Sequence, residues 1–321
     1  MVGVAQLVEP RVVISAVVGS SPIVHPIFRR AGLATCAAFS LLLAGCATPP
    51  PDAAPKLFIA GDSTAATYTL VDKNQQADKN QQGWGAVLQP FFNERKLRVV
   101  NAARGGRSSR TFITEGHWEK MLAQVRAGDY VIIQFGHNDA GALNQEPPGS
   151  TRPLRARGTI PGVGDESEDI DNVITGKHET VYSFGWYLRR MIADTRGRGA
   201  TPVVMTLTRT NTWTDGRINC PSDTYRLWDW QTAVNEQVAF VDLSRIIADR
   251  YQREGAAAVT AQFINDTVHT NVTGAEKNAA DAVSGLRALR GLPFRKMLSA
   301  RGRAVAADAG QTPTSVCPAL D

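Results

Sequence analysis

Five short apolar runs, at 57–60, 97–100, 130–135, 202–207 and 239–241, set the frame for this chain. Each is rich in β-branched residues and largely uninterrupted by polar ones. A strand with one wet face alternates polar and apolar side chains, whereas a strand covered on both faces has no need to. These runs therefore suit parallel strands buried between two layers. Helical patterns fall between them at 84–94, 117–127, 181–196 and 243–251, with Pro90 placed to kink or split the first. A last helix is expected from Thr273, where Glu276 three residues on reads as a capping box. Regular alternation of strand and helix predicts an α/β chain folded as a three-layer α/β/α sandwich. One stretch, 143–177, shows neither period. Irregular segments of that length in a compact domain are usually functional or disordered. Residues 299–321 carry little pattern and are expected to be a loose tail.

The N-terminal 45 residues read differently. Phe28-Arg29-Arg30 is a short basic start, and an apolar, small-residue run follows to Leu43-Ala44-Gly45-Cys46. Such a run is too short for a membrane span, which needs about 20 apolar residues, and suits a secretion signal. Its ending resembles a bacterial lipobox, which makes Cys46 the expected lipidated first residue. Residues 1–28 are a poor continuation of that signal. Residues 4–9 back-translate to GTA GCT CAG TTG GTA GAG, like the D-arm of a tRNA gene, and 18–22 to GTC GGT TCG AGT CCT, like a T-arm. The expectation is a start codon set too far upstream. The organisation is then 1–28 mis-assigned start, 29–45 lipoprotein signal, 46–55 Pro/Ala tether, 56–298 folded domain and 299–321 tail.

Charge excludes little but weakens one class. The formal net charge of +5 falls to +3 when residues 1–45 are set aside, and no block of like charge occurs. A nucleic-acid partner is not expected. With 43% hydrophobic residues the domain can build a sizeable core. Cys220 and Cys317 remain in the mature chain, and either pair in an oxidising compartment or stay as two thiols; their spacing does not decide. No His/Cys cluster has zinc spacing, and no cofactor or metal is implied.

In an open parallel sheet, ligands bind beyond the carboxyl ends of the strands. Four polar clusters follow the apolar runs or precede the last helix: Gly61-Asp62-Ser63-Thr64, Asn101 with Gly105-Gly106-Arg107-Ser108, Gly136-His137-Asn138-Asp139, and Asp266-Thr267-Val268-His269. Acyl transfer needs a nucleophile, a base, an orienter for the base and donors for an oxyanion. Ser63 can be the nucleophile and His269 the base, a role to which imidazole as a side-chain type is suited. Asp266 lies three residues before His269, close enough in a tight turn to fix its tautomer. Gly106 can offer a backbone N–H and Asn138 a side-chain N–H. Each piece alone has a plainer reading as a turn, a cap or a sheet-edge residue.

Together and in this order, the four blocks resemble those of the SGNH (GDSL) hydrolase superfamily, over about residues 57–292. No G-x-S-x-G elbow surrounds the serine, which disfavours the α/β-hydrolases. A finer resemblance is to bacterial rhamnogalacturonan acetylesterases, the pectin-deacetylating carbohydrate esterases. It is carried by residues 61–66, Gly83-Trp84-Gly85, 101–112, 135–139, 185–189, 199–203 and 266–270. The threonine after Ser63, where the superfamily's name has leucine, is shared with that branch. The resemblance implies a flavodoxin-like, mainly five-stranded parallel sheet, a Ser63–His269–Asp266 triad, and an oxyanion hole from the Ser63 and Gly106 N–H groups and Asn138.

The expected substrate is acetylated pectic polysaccharide. Arg104, Arg107 and Arg110 flank the second block and either meet uronate carboxylates or form a solvated face. Trp84 either stacks on a sugar ring or anchors a helix in the core, the second being preferred. His137 is a further candidate for substrate contact, and the 143–177 segment for a cleft wall. The competing readings are an acetylxylan, other O-acetyl or lipid esterase on the same fold, and a non-catalytic carbohydrate-binding lipoprotein. The remaining expectations are a monomer at the bacterial cell envelope, in contact with the membrane only through a lipid anchor.

Overall fold

The computed structural model describes residues 54–69, 80–151, 153–221 and 224–320. The expected start, signal and lipid-bearing Cys46 lie outside the described residues, as does all but the end of the tether. Among the described residues the strands are β1 (Lys56–Gly61), β2 (Arg98–Asn101), β3 (Tyr130–Gln134), β4 (Ser167–Asp171), β5 (His178–Tyr182), β6 (Thr201–Met205), β7 (Trp213–Thr214), β8 (Arg217–Ile218) and β9 (Ala239–Val241). The helices are α1 (Ser109–Thr114), α2 (His117–Leu122), α3 (Phe184–Gly197), α4 (Tyr225–Asn235), α5 (Leu243–Glu254), α6 (Ala256–Thr260), α7 (Val272–Ala288), α8 (Phe294–Met297) and α9 (Ala300–Ala304).

The five anticipated runs form one parallel sheet in the order β2-β1-β3-β6-β9, with Phe58 of β1 between Val100 and Val131. This is the flavodoxin-like order. Its direction reverses between β1 and β3, and the connections leaving those strands part to opposite sides, opening a crevice at their carboxyl ends. Both faces of the sheet are covered. Leu57 and Ile59 pack with Trp84, Leu243, Ile247 and Val283, while Phe58 and Ala60 pack with Phe112, Trp118, Leu188 and Ile192. Burying each large apolar side chain contributes about 1.5–3 kcal/mol, which is why alternation disappears from these strands.

Local chemistry moves several boundaries. The 84–94 helix is two 3₁₀ turns, Trp84–Val87 and Gln89–Phe91, with Pro90 in the first turn of the second. The helix at 117 stops at Leu122, because the chain then turns so that the Asp129 carboxylate accepts from the Arg126 N–H at 2.9 Å. Val181 and Tyr182 belong to β5, and Ser183 caps α3 by accepting from the Trp186 N–H. The capping box expected at Thr273 is absent. Asn271 is the cap, accepting from the Gly274 N–H at 3.1 Å, and Glu276 pairs with Arg301 instead.

Two larger expectations are also corrected. The 143–177 stretch is not wholly irregular, since β4 pairs with β5 in an antiparallel hairpin. Residues after Ser299 are not loose. Ser299 caps α9, Arg245 pairs with Asp308, and the Asp249 carboxylate accepts from the Val316 N–H at 2.8 Å. Cys317, only 1% exposed, is disulfide-bonded to Cys220. Among the described residues, no helix is long and apolar enough to cross a membrane.

Candidate active site

The turn after β1 is held from three directions. Asp62 accepts from the N–H and the hydroxyl of Thr64, both at 2.8 Å, so the threonine supplies an anchor that leucine lacks. Asn101, ending β2, donates to the Ala65 carbonyl at 2.8 Å, and the Trp84 N–H donates to the Thr64 carbonyl at 3.0 Å. Ser63 thus leaves the sheet at a fixed point, with its side chain toward the 266–269 turn.

That turn brings the other two residues in. His269 Nε2 lies 2.9 Å from Ser63 Oγ, and His269 Nδ1 lies 2.6 Å from Asp266 Oδ2. The second carboxylate oxygen accepts from the N–H groups of Val268 and His269 at 2.8 and 2.7 Å. A three-residue spacing therefore lets one oxygen cap its own turn while the other holds the ring. Burial raises the Asp266 pKa, but the hydrogen bonds from the His269 ring and from the two backbone N–H groups outweigh it. The carboxyl ends below its usual range and stays ionised. Thr270 Oγ1 donates to the Gln82 carbonyl, and the Gln82 N–H donates to the Thr270 carbonyl, so one segment clasps both turns.

Gly106 and Asn138 border the same cleft as Ser63 and His269. Gly106 has φ +76°, a left-handed conformation that a side chain would strain. Asn138 donates to the Arg107 carbonyl at 3.0 Å, which joins the second block to the third and leaves its other amide N–H for the cleft. Asp139 reinforces that joint from behind. Its carboxyl accepts from the Ser109 hydroxyl at 2.5 Å, the Ser109 N–H at 3.0 Å and the Gly136 N–H at 3.1 Å. Burial raises Asp139 to about 7, although the bonds from Ser109 and Gly136 pull the other way. Sequence reasoning gave Asp139 no role. Its place in the third block was the available signal.

The cleft has a volume of about 850 Å³. Arg104 and Arg107 border it, as do Arg155, Arg157, Leu154 and Ile174 of the 143–177 segment. Those four residues were missed individually, because nothing local fixes which part of an irregular segment folds back over a site. Three candidate substrate contacts do not reach the cleft, and for Trp84 this is the preferred core reading. Trp84 is fully buried, with its indole donating to Gln134 at 3.2 Å, and is a core anchor. Arg110 is fully buried too, bonded to both Glu179 carboxylate oxygens and to the Leu143 and Gly158 carbonyls. His137 turns its Nε2 to the Thr208 hydroxyl at 3.1 Å and does not border the cleft; burial, ahead of nearby charges, lowers its pKa. Among the described residues, no group of three or more His, Cys, Asp or Glu is placed to hold a metal ion.

Residues 59–277 match the model of the GDSL-like lipase/acylhydrolase family. The chain is 29% identical to rhamnogalacturonan acetylesterase of Emericella nidulans over 235 residues, which cover 73% of this chain and 86% of that one. It is 28% identical to rhamnogalacturonan acetylesterase RhgT of Bacillus subtilis, covering 77% of this chain and 95% of that one. The crystal structure of the Bacillus subtilis protein YxiM superposes with a TM-score of 0.58 at 23% identity, over 75% of this chain and 58% of that one.

Proposed function

Given that the chain belongs to the GDSL-like lipase/acylhydrolase family and is an esterase, we propose that it removes O-acetyl groups from pectic polysaccharide of the rhamnogalacturonan type. Ser63, His269 and Asp266 carry the reaction by acyl transfer. Ser63 Oγ attacks the acetyl carbonyl as its proton passes to His269 Nε2. The oxyanion is received by the N–H groups of Ser63 and Gly106 and the amide of Asn138. His269 returns the proton to the departing sugar oxygen, leaving acetyl-Ser63. Water then attacks that ester as His269 takes its proton. His269 passes that proton to Ser63 Oγ as the acyl–oxygen bond breaks, and acetic acid leaves and ionises. Asp266 holds the imidazole and stabilises its charged form without accepting the proton.

The observation that carries this reading is the continuous Asp266–His269–Ser63 hydrogen-bond chain at the edge of a cleft bordered by four arginines. The relatives named for rhamnogalacturonan deacetylation support the substrate. Acetate release from acetylated rhamnogalacturonan tests it. Ser63→Ala and His269→Ala should each lose about 10⁴-fold or more in kcat. Near-normal activity in Ser63→Ala would refute the mechanism, and turnover of acetylated xylan alone would refute the substrate. The lipobox-like Leu43-Ala44-Gly45-Cys46 supports a further part of the proposal, an enzyme of the bacterial cell envelope anchored through Cys46. The Cys220–Cys317 disulfide supports an oxidising compartment. Cys46→Ala should move the protein from the membrane to the soluble fraction.

A further inference from the structure

The 143–177 segment does more than wall the cleft. Its residues 156–159 lie against the turn that follows Asn138: the Gly158 N–H donates to the Ala142 carbonyl at 2.8 Å and the Thr159 N–H to the Asp139 carbonyl at 3.0 Å. The fit leaves no room for a side chain at Gly158, where a Cβ would stand 2.0 Å from the Gly141 carbonyl oxygen. From this strip the Arg157 side chain crosses Gly141 and donates to the Gly106 carbonyl at 3.1 Å. Arg155 reaches the same place. The Nη1 atoms of Arg155 and Arg157 each lie 3.7 Å from the point a Cβ on Gly106 would occupy, so two guanidinium groups converge beside one of the proposed oxyanion donors.

Two guanidiniums facing one point repel each other. Burial first, and the charge of Arg155 second, pull Arg157 below the ordinary arginine range. Arg155 itself is exposed and has no ion-pair partner among the described residues. Of the two carboxylates bordering the cleft, Glu115 is already held by Arg107 at 2.7 Å and by His117 at 3.1 Å, leaving Glu146 against three arginines. Two exposed apolar side chains, Leu154 and Ile174, border the same wall. A convergent pair of guanidiniums suits a carboxylate, which accepts planar, paired N–H donors. Apolar side chains beside it suit the C–H face of a sugar ring.

We propose that Arg155 and Arg157 form a subsite for a uronate carboxylate beside Gly106, with Leu154 and Ile174 receiving the apolar face of the sugar. The subsite rests on the proposed acidic-polysaccharide reading and names the segment that makes the choice. It is tested with 4-nitrophenyl acetate as the reporter ester and unacetylated oligogalacturonate as the competing ligand, in the full-length protein. Wild type should be competitively inhibited, less so as salt is raised. The inhibition constant should rise about tenfold in Arg155→Gln and further in Arg155→Glu, with Arg155→Lys between wild type and Arg155→Gln. In the same series, kcat/KM on acetylated rhamnogalacturonan should fall relative to that on the reporter ester. Equal inhibition of wild type, Arg155→Gln and Arg155→Glu would overturn the subsite, as would an uninhibited wild type. Acetate release from rhamnogalacturonan by wild type would still uphold the substrate reading in either case. Inhibition without any such release would sink that reading instead.

Discussion

Asp139→Asn should reverse its effect on stability between acid and alkaline pH. The wild-type carboxyl is 1% exposed and titrates at about 7 in the fold, against 3.8 for an ordinary aspartate. The folded protein therefore holds a proton there that the unfolded chain releases. The stability from Asp139 is full below pH 4 and is lost as the pH rises through 7. At about 1.4 kcal/mol per pH unit, that loss is ~4 kcal/mol. Asparagine matches the neutral acid in shape and never ionises, so it escapes the loss. It has its own cost, because its amide nitrogen would face the Gly136 N–H where a carboxyl oxygen now accepts at 3.1 Å. Two buried donors in opposition cost about 1–3 kcal/mol. Asp139→Asn should therefore be less stable than wild type by about 2 kcal/mol at pH 4 and more stable by a similar amount at pH 8. Urea unfolding of both proteins across pH 4 to 8 reads this directly. The buried acids Asp229 and Asp281, also raised, stand in both proteins and largely cancel in the difference. A stability gap that stays constant within ~0.5 kcal/mol over that range would refute the buried, proton-holding role of Asp139.

Four further outcomes follow from the geometry. Asp266→Asn should lower kcat about 10⁴-fold with little change in KM, since the amide cannot hold His269 in the required tautomer; steady-state kinetics would show it. Asn138→Ala should cost about 10²–10³-fold in kcat, the usual worth of one oxyanion donor. Trp84→Ala should destabilise by about 3–5 kcal/mol in urea, because a fully buried indole is removed and its Gln134 partner is orphaned. Cys220→Ser with Cys317→Ser should lower stability by about 2–4 kcal/mol, as should reduction of the wild type, since the bond closes a loop with a sequence separation of 97.

The sheet was legible because its strands are buried on both faces, which leaves an unbroken apolar signature such as Tyr130–Gln134. Every strand of it was placed to within two residues. Ser63 was legible as a type at a strand end, and Asp266 and His269 as types just before the last long helix, and the structure brings their side chains into contact. The cleft wall was not. Whether Arg110 or Arg155 faces the ligand depends on how 143–177 folds back, and both arginines sit in equally polar sequence. Arg110 is buried because Glu179, 69 residues away, meets it. No local pattern encodes such a meeting. The tail was misjudged for the same reason, as Cys317 and Val316 dock through partners on α5 and at Cys220 that lie far back in the chain.

Arg110 also says how such a protein can diverge. All four acceptors around its guanidinium belong to one span, residues 143 to 179, while its backbone belongs to the helix that follows the second block. The span that borders the cleft is thus tied to the scaffold through this arginine, alongside the Thr159–Asp139 and Arg157–Gly106 bonds. Descendants that keep this tie can rewrite residues 153–155 and 173–177, and with them the sugar choice of the proposed subsite, while Ser63, Asp266 and His269 keep their own contacts. Those that lose it leave the Glu179 carboxylate with Asn172 alone among the described residues, and the Leu143 and Gly158 carbonyls without their arginine donor, which loosens the wall beside the cleft.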